Sequence, residues 1–344
     1  MNKMIIHYCG GAGINIARAI NTTLSTLGDG FCSVTPKYLD TSVNNIGDLP
    51  KEDFWKVDHG GFSDNTIAGS GGERVTNSTA IMKNIKDYLD THGYTEESVG
   101  EYHIVMFSAS GGTGSVLGPA LIMNLRERGL SVLAIMIGDS SNGLSCINTL
   151  NTMATLDHIS KNVINKPISM IYYNNHTVSG ANARDKERAV NGKVTSALTF
   201  MSLFLSGDNE DIDTRDMINF LSPDNYSTIT VGAGVYCVEI TTNGTVKNNK
   251  SNINIIGRTL CGPGQDADVG LTLLQHKYGK VVNANALSVT EIDLPVHMIL
   301  AGNCLVTESI LLKNTSEEYD NIMASLEATD LVGKGTADAS GMIF

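Results

Sequence analysis

The sequence predicts an α/β fold: a parallel sheet covered by helices on both faces, then a long central helix, a smaller α+β carboxyl-terminal domain, and a last helix with a tail. Three observations carry this. Short apolar runs alternate with amphipathic segments up to about residue 175, the pattern of strands buried on both faces. Two of these runs lead into glycine-rich turns followed by helix-like segments, at Cys9-Gly10-Gly11-Ala12-Gly13 and at Ser110-Gly111-Gly112-Thr113-Gly114-Ser115. Finally, Val190, Val194, Ala197, Leu198, Met201, Phe204 and Leu205 repeat at helical spacing within Asn182–Leu205, a long helix facing a core.

In chain order, Met4–Tyr8 reads as a buried strand, Ile14–Leu27 as a helix and Ser33–Asp40 as a strand. Ser78–Leu89 reads as a helix, Tyr102–Phe107 as a strand, Val116–Arg128 as a helix and Ser131–Ile137 as a strand. Leu150–Ile159 is a helix and Ile168–Tyr173 a strand. Thr41–Thr76 is polar and glycine-rich, holds the only tryptophan, Trp55, and reads as a long loop. Its Gly69-Ser70-Gly71-Gly72 suits a third phosphate-contacting loop and a mobile surface excursion equally well. Ser206–Asn209 stops the long helix, and the acidic Glu210–Asp216 leads to Met217–Leu221. Beyond it, Thr228–Thr241, Val281–Ala286 and Val296–Ala301 are strand-like, Val269–His276 helical, Ser316–Ala328 an acidic helix and Gly333–Phe344 a tail. The expected divisions are 1–180 for a Rossmann-like nucleotide-binding domain, 181–221 for the central helix and acidic loop, 222–312 for the α+β domain and 313–344 for the carboxyl-terminal helix and tail.

The glycine-rich turns carry the chemistry. Glycines at a strand's carboxyl end let the backbone approach a ligand, hydroxyls add donors, and the N–H groups opening the next helix point toward an anion. Ser110 to Ser115 has this build throughout. In a parallel sheet such turns fall along one edge, where open α/β sheets bind ligands. The amino-terminal turn alone is weaker, because a dinucleotide fingerprint wants a third glycine where Ile16 stands. Asn15 suits either a ribose or base contact or the start of a helix.

Composition narrows the classes. The chain of 344 residues is 42% hydrophobic and 17% charged, enough for a sizeable core. Its net charge of −12 without a basic run argues against direct nucleic-acid binding. The six cysteines are widely spaced with no Cys-x-x-Cys pair, which suggests neither zinc site nor disulfide framework and fits a reducing compartment. No apolar run approaches a bilayer span, and no signal-peptide pattern opens the chain.

With these motifs in hand, the layout resembles the tubulin and FtsZ superfamily, and within it the tubulin-like proteins of large bacteriophages. The likeness rests on Gly10 to Asn15, on Ser110 to Ser115 continuing into Val116-Leu117-Gly118-Pro119, on Thr152-Met153 and Thr155-Leu156, and on the acidic loop. It implies a GTPase that polymerises head to tail with itself, binds GTP or GDP with Mg2+, and works in the bacterial host cytoplasm to position or organise phage DNA. By the same resemblance Gly10, Gly11, Gly13 and Asn15 contact the proximal phosphates and sugar, and Asp40 and Thr41 form the next contact loop. Gly71 and Gly72 sense the terminal phosphate, and Ser110, Gly111, Gly112, Thr113, Gly114 and Ser115 form the main cradle. Asn175 lies near guanine and ribose, and Asn191 reads the base. Asp213 and Asp216 are the catalytic acids that one subunit inserts over its neighbour's terminal phosphate; read without the family, they cap a helix and favour its dipole. No residue is assigned as a metal ligand.

This sequence departs from the family where an acidic ribose contact is expected, offering only Asp139, and at Asp211, where an asparagine is usual. The tail is nearly neutral and ends in Met342-Ile343-Phe344, an apolar tip in place of an acidic one. Two other readings remain: an NAD-dependent oxidoreductase, which does not account for Ser110 to Ser115, and a nucleotide-binding polymer scaffold without turnover. A serine hydrolase is weaker, because Ser108 stands where a nucleophile elbow needs glycine.

Overall fold

The computed structural model describes residues 3–25, 32–57, 78–95, 101–176, 178–205, 232–241, 255–261, 281–282 and 296–301. The amino-terminal elements are β1 (Lys3–Cys9), α1 (Gly10–Ser25), β2 (Ser33–Asp40), β3 (Phe54–Lys56), α2 (Ser78–Thr91), β4 (Glu101–Ser108) and α3 (Gly114–Glu127). They are followed by β5 (Val132–Gly138), α4 (Gly143–His158), β6 (Pro167–Asn174) and α5 (Ala183–Phe204). Strands β7 (Gly234–Thr241), β8 (Ile255–Cys261), β9 (Val281–Val282) and β10 (Val296–Ala301) complete the described elements.

All strands join one sheet in the order β3-β2-β1-β4-β5-β6-β7-β10-β8-β9. From β3 through β7 every pairing is parallel. Strand β10 then runs antiparallel to both β7 and β8. The apolar runs form strands because alternate side chains feed two cores. Met4, Ile6, Ile104, Met106, Leu133 and Ile135 pack with Ile14, Ala17, Ile20, Val190, Val194 and Leu198 of α1 and α5. Ile5, Val105, Phe107, Ala134 and Met136 face Ile81, Ile85, Leu121, Leu125, Met153 and Leu156 of α2, α3 and α4. Each buried aliphatic side chain stabilises the fold by roughly 1.5–3 kcal/mol relative to exposure, so both faces of the sheet contribute to holding the block together. Gly118 lets α3 lie close on β4, since a Cβ there would stand 2.3 Å from the Phe107 ring.

Several boundaries move. Helix α1 begins at Gly10 rather than Ile14, and α4 at Gly143, where Asn142 Oδ1 caps it by accepting from the Ser145 N–H at 3.0 Å. Strand β3 lies inside the segment expected to be loop; its Trp55 packs edge-on against Tyr88 with ring centroids 5.6 Å apart. Strand β7 starts at Gly234, later than the expected Thr228, and β8 falls where no strand was expected. Cys237 on β7 is disulfide-bonded, against the expectation of no disulfide drawn from the wide cysteine spacing; Cys9, Cys32 and Cys146 are free. The Ser160 hydroxyl, in a wider π turn after α4, accepts from the Gly234 N–H at 2.7 Å and ties that turn to β7. No helix among the described residues is long and apolar enough to cross a membrane. The acidic loop, the helices expected at Val269–His276 and Ser316–Ala328, and the tail lie outside the described residues.

Candidate functional site

The carboxyl ends of β1, β2 and β4 meet around a cavity of about 190 Å³. Its lining combines Cys9 to Ala12 from the start of α1, Asp40 and Asn45 from the turn after β2, and Ser108 with Gly111 to Gly114 from the turn after β4. Helices α1 and α3 therefore both begin at its wall, and their first N–H groups have no partner within the helix. Partial positive charge from two helix starts converges there.

The two glycine-rich segments are built against each other. Gly10 has φ of +76°, a conformation open to glycine but costly for other residues, and a Cβ on it would stand 2.9 Å from the Gly114 amide nitrogen. A Cβ on Gly114 would be 3.1 Å from the carbonyl oxygens of both Cys9 and Ser108. Gly13 passes the Met106 carbonyl, where a Cβ would lie at 3.0 Å, and Gly11 lies under Asn45, whose amide nitrogen would be 2.7 Å from a Cβ. Gly111 differs, since a Cβ there would meet no protein atom within 4 Å. Its missing side chain keeps cavity space open, which suits a bound phosphate.

Polar groups complete the wall. The Thr41 and Thr113 hydroxyls lie 3.0 Å apart and join the turn after β2 to the one after β4. Asp40 is buried; its carboxylate accepts from the Thr41 N–H at 2.7 Å and from Asn45 Nδ2 at 2.6 Å. Burial raises its carboxyl above the usual carboxylate range, against the downward pull of the Asn45, Thr41 and Ser42 hydrogen bonds. Burial also pushes the Cys9 thiol far up, with Asp40 adding to the shift, so this sulfur is not a nucleophile. Among the described residues no cluster of three or more His, Cys, Asp or Glu forms a metal cage. The Asp40 carboxylate beside a cavity with room for phosphate would suit Mg2+, which favours one or two carboxylates plus phosphate oxygens and water.

The expected site residues divide into groups. Gly10, Gly11, Asp40, Gly111, Gly112, Thr113 and Gly114 line the cavity. Thr41 supports it through Thr113, and Gly13 through its close approach to β4. Ser115 turns inward, donating to the Gly112 carbonyl at 3.0 Å, and the Ser110 hydroxyl pairs with that of Ser108 at 3.0 Å. Both shape the turn rather than line the cavity. Asn15 is exposed on α1, its side-chain oxygen accepting from Arg18 at 2.6 Å. The Asn175 N–H donates to the Gly138 carbonyl at 3.0 Å, and Asn191 is half-buried on α5, its carbonyl accepting from Thr195 at 2.8 Å. These three asparagines stand outside the cavity. Gly71, Gly72, Asp213 and Asp216 lie outside the described residues. Asp139, the candidate ribose acid, accepts from the Ser141 N–H at 2.8 Å and so holds its own turn. Sequence reasoning missed Cys9, Ala12, Asn45 and Ser108 as lining residues. Ser108 could have been found as the last residue of its strand, while nothing in the spacing marks Asn45.

No protein-family model matches the chain. It is 25% identical over 230 residues to a phage tubulin-like protein of Pseudomonas phage phiKZ, an alignment covering 63% of this chain and 62% of that relative's length. A solved protofilament of TubZ from bacteriophage PhiKZ superposes with a TM-score of 0.69 at 19% identity, covering 100% of both chains. The phage tubulin PhuZ, solved with GDP, matches with a TM-score of 0.69 at 18% identity over 100% of both chains. The chain thus carries the fold of these phage tubulin structures and is similar in sequence to a phage tubulin-like protein.

Proposed function

We propose that this chain is a GTPase that assembles head to tail into filaments, with hydrolysis completed between subunits. The observation that carries the reading is the pair of interlocked glycine-rich helix starts around one small cavity. The volume fits a phosphate chain better than a whole nucleotide, so sugar and base would extend outward toward Asn15, Asn175 and Asn191. Gly111 to Gly114 would grip the phosphates through backbone N–H groups, with Gly10 and Gly11 opposite. Asp40 and the phosphate oxygens would hold Mg2+, which supplies charge neutralisation when bound.

Asp213 and Asp216 of a second copy would close the site. Water is a poor nucleophile toward a phosphoanhydride, and a carboxylate can orient it in line with the leaving group. The water oxygen forms a bond to the terminal phosphorus, the bridging bond to GDP breaks, and the water's proton passes through the carboxylate to solvent. Loss of the terminal phosphate would weaken the contact it helped make and so render the filament dynamic. Support comes from a relative named phage tubulin-like and from neighbours solved as a protofilament and with GDP. Positioning or organising phage DNA in the cytoplasm of an infected bacterial cell is the cellular role that follows.

The test is assembly against nucleotide. Light scattering and negative-stain microscopy of the purified chain are expected to show filaments with GTP and not with NAD or ATP. Phosphate release per subunit should rise with protein concentration. Turnover independent of concentration, or no filaments at any concentration, overturns the reading.

A further inference from the structure

Helix α4 presents to the cradle a row of polar side chains that the lining of the cavity does not use. Asn148, Thr149 and Thr152 are 5%, 0% and 0% exposed. Buried amides and hydroxyls are costly unless hydrogen-bonded, and here they reach the turns at the carboxyl edge of the sheet. Asn148 Nδ2 donates to the Ser110 carbonyl at 3.0 Å. The Thr152 hydroxyl shares its proton between the Ala109 carbonyl at 3.0 Å and the Asn148 carbonyl at 2.6 Å. Thr149 serves the neighbouring turn, accepting from the Asp139 N–H at 3.2 Å.

Peptide geometry gives these bonds a consequence. In a trans peptide the C=O and the following N–H point in opposite directions. A Ser110 carbonyl drawn to α4 therefore aims the Gly111 N–H the other way, and an Ala109 carbonyl drawn to α4 does the same for the Ser110 N–H. Gly111 lines the cavity, whereas no residue of α4 does. The geometry points to Asn148, with Thr152 one turn on, as a positioning residue for phosphate binding. It holds the Ser110–Gly111 peptide with its donor toward the anion and its carbonyl away from it. This rests on the nucleotide reading above and adds to it a control on the cradle from outside the cavity.

Asn148→Asp tests the claim with little change in volume, because it removes the donor and sets an anion beside the Ser110 carbonyl. Thr152→Val removes the companion bond and carries the same test should Asn148→Asp fail to fold. Fluorescent GTP, fluorescent GDP and unmodified guanosine are titrated against the full-length chain below its assembly concentration. The expected result is a loss of roughly tenfold or more for GTP and GDP with guanosine affinity unchanged, and a smaller loss in the same sense for Thr152→Val. Wild-type affinity in both variants overturns the inference, as does an equal loss for guanosine, which would mark general support of the fold. A wild-type chain that binds neither GTP nor GDP sinks the nucleotide reading instead. The positioning claim is then judged by amide hydrogen exchange without nucleotide, where Asn148→Asp must speed exchange at residues 109–114 and leave β4 and β5 unchanged; unchanged exchange at 109–114 overturns it.

Discussion

The amide nitrogen of Gly114 occupies the ground a side chain on Gly10 would need, 2.9 Å from its would-be Cβ. The first turn of α1 and the first turn of α3 can approach this closely only while both residues remain glycine. The convergence of two helix starts on one cavity, the basis of the anion binding proposed above, depends on that contact.

Gly10→Ala and Gly111→Ala should therefore fail in different ways. At Gly10 the methyl meets backbone and the positive φ adds strain, so stability should fall by about 1–3 kcal/mol together with nucleotide binding. At Gly111 the methyl meets only cavity, so stability should stay within about 0.5 kcal/mol while GTP affinity drops. Chemical denaturation beside nucleotide titration separates the two. Equal destabilisation by both substitutions would show that the cavity is not where the space at Gly111 leads.

Asp40 sets a pH dependence. Its carboxyl titrates above the usual value chiefly because it is buried, so the folded chain holds this proton more tightly than the unfolded chain does. The resulting stabilisation is present below the unfolded value of about 3.9 and is lost as pH rises through the folded value. Asp40→Asn removes the buried charge. Its stability relative to wild type should improve from about pH 4 toward neutrality and then level off. Thermal unfolding across that range, without nucleotide or Mg2+, checks this, and a difference independent of pH would contradict it.

A second titration runs the opposite way. His7 Nε2 and His103 Nδ1 lie 2.9 Å apart on neighbouring strands, and His7 Nδ1 lies 2.8 Å from the Tyr88 hydroxyl. Burial pushes both imidazoles down. His7 feels His103, His92 and Lys37 in addition, while His103, with Lys3 adding, falls to about 3. Below the unfolded imidazole value of about 6.5 the unfolded chain takes up protons that the folded chain refuses, so stability declines as pH drops from there toward about 3. Replacing both residues by glutamine should flatten that decline. Urea midpoints at about pH 7 and about pH 5 measure it, and an acid limb as steep as that of wild type would remove the pair from its cause.

Much of the parallel sheet was legible because its strands are apolar on both faces, as Ile104-Val105-Met106-Phe107 is. Strand β3 was not, because Phe54–Lys56 is short, set between charged residues, and defined by pairing with Tyr38 to Asp40. The start of α1 was misplaced because Gly10 to Gly13 reads locally as a turn, and the close approach to Gly114 that allows a helix there is a tertiary fact. The glycines and Thr113 of the cradle were legible from their order after a strand. Asn45 and Asn148 were not, since an amide gains its role from a partner that spacing does not reveal, respectively Asp40 and the Ser110 carbonyl.

The proposed sharing of one active site between subunits makes the sharpest demand. If the acid on one subunit serves the phosphate on the next, two impaired variants with complementary faults should recover activity when mixed. Asp213→Ala keeps an intact cavity but offers its neighbour no acid, so it should bind GTP, assemble and hydrolyse slowly. Gly111→Ala keeps Asp213 but has a cavity narrowed by a methyl. Where a Gly111→Ala subunit stacks on the nucleotide of an Asp213→Ala subunit, the junction combines bound GTP with an intact carboxylate. Phosphate release from the mixture should therefore exceed the sum of the separate rates and should peak near equal proportions. Simple additivity at every ratio would mean that each chain cuts only its own nucleotide, and would leave Asp213 with the helix-capping reading that its sequence context alone suggests.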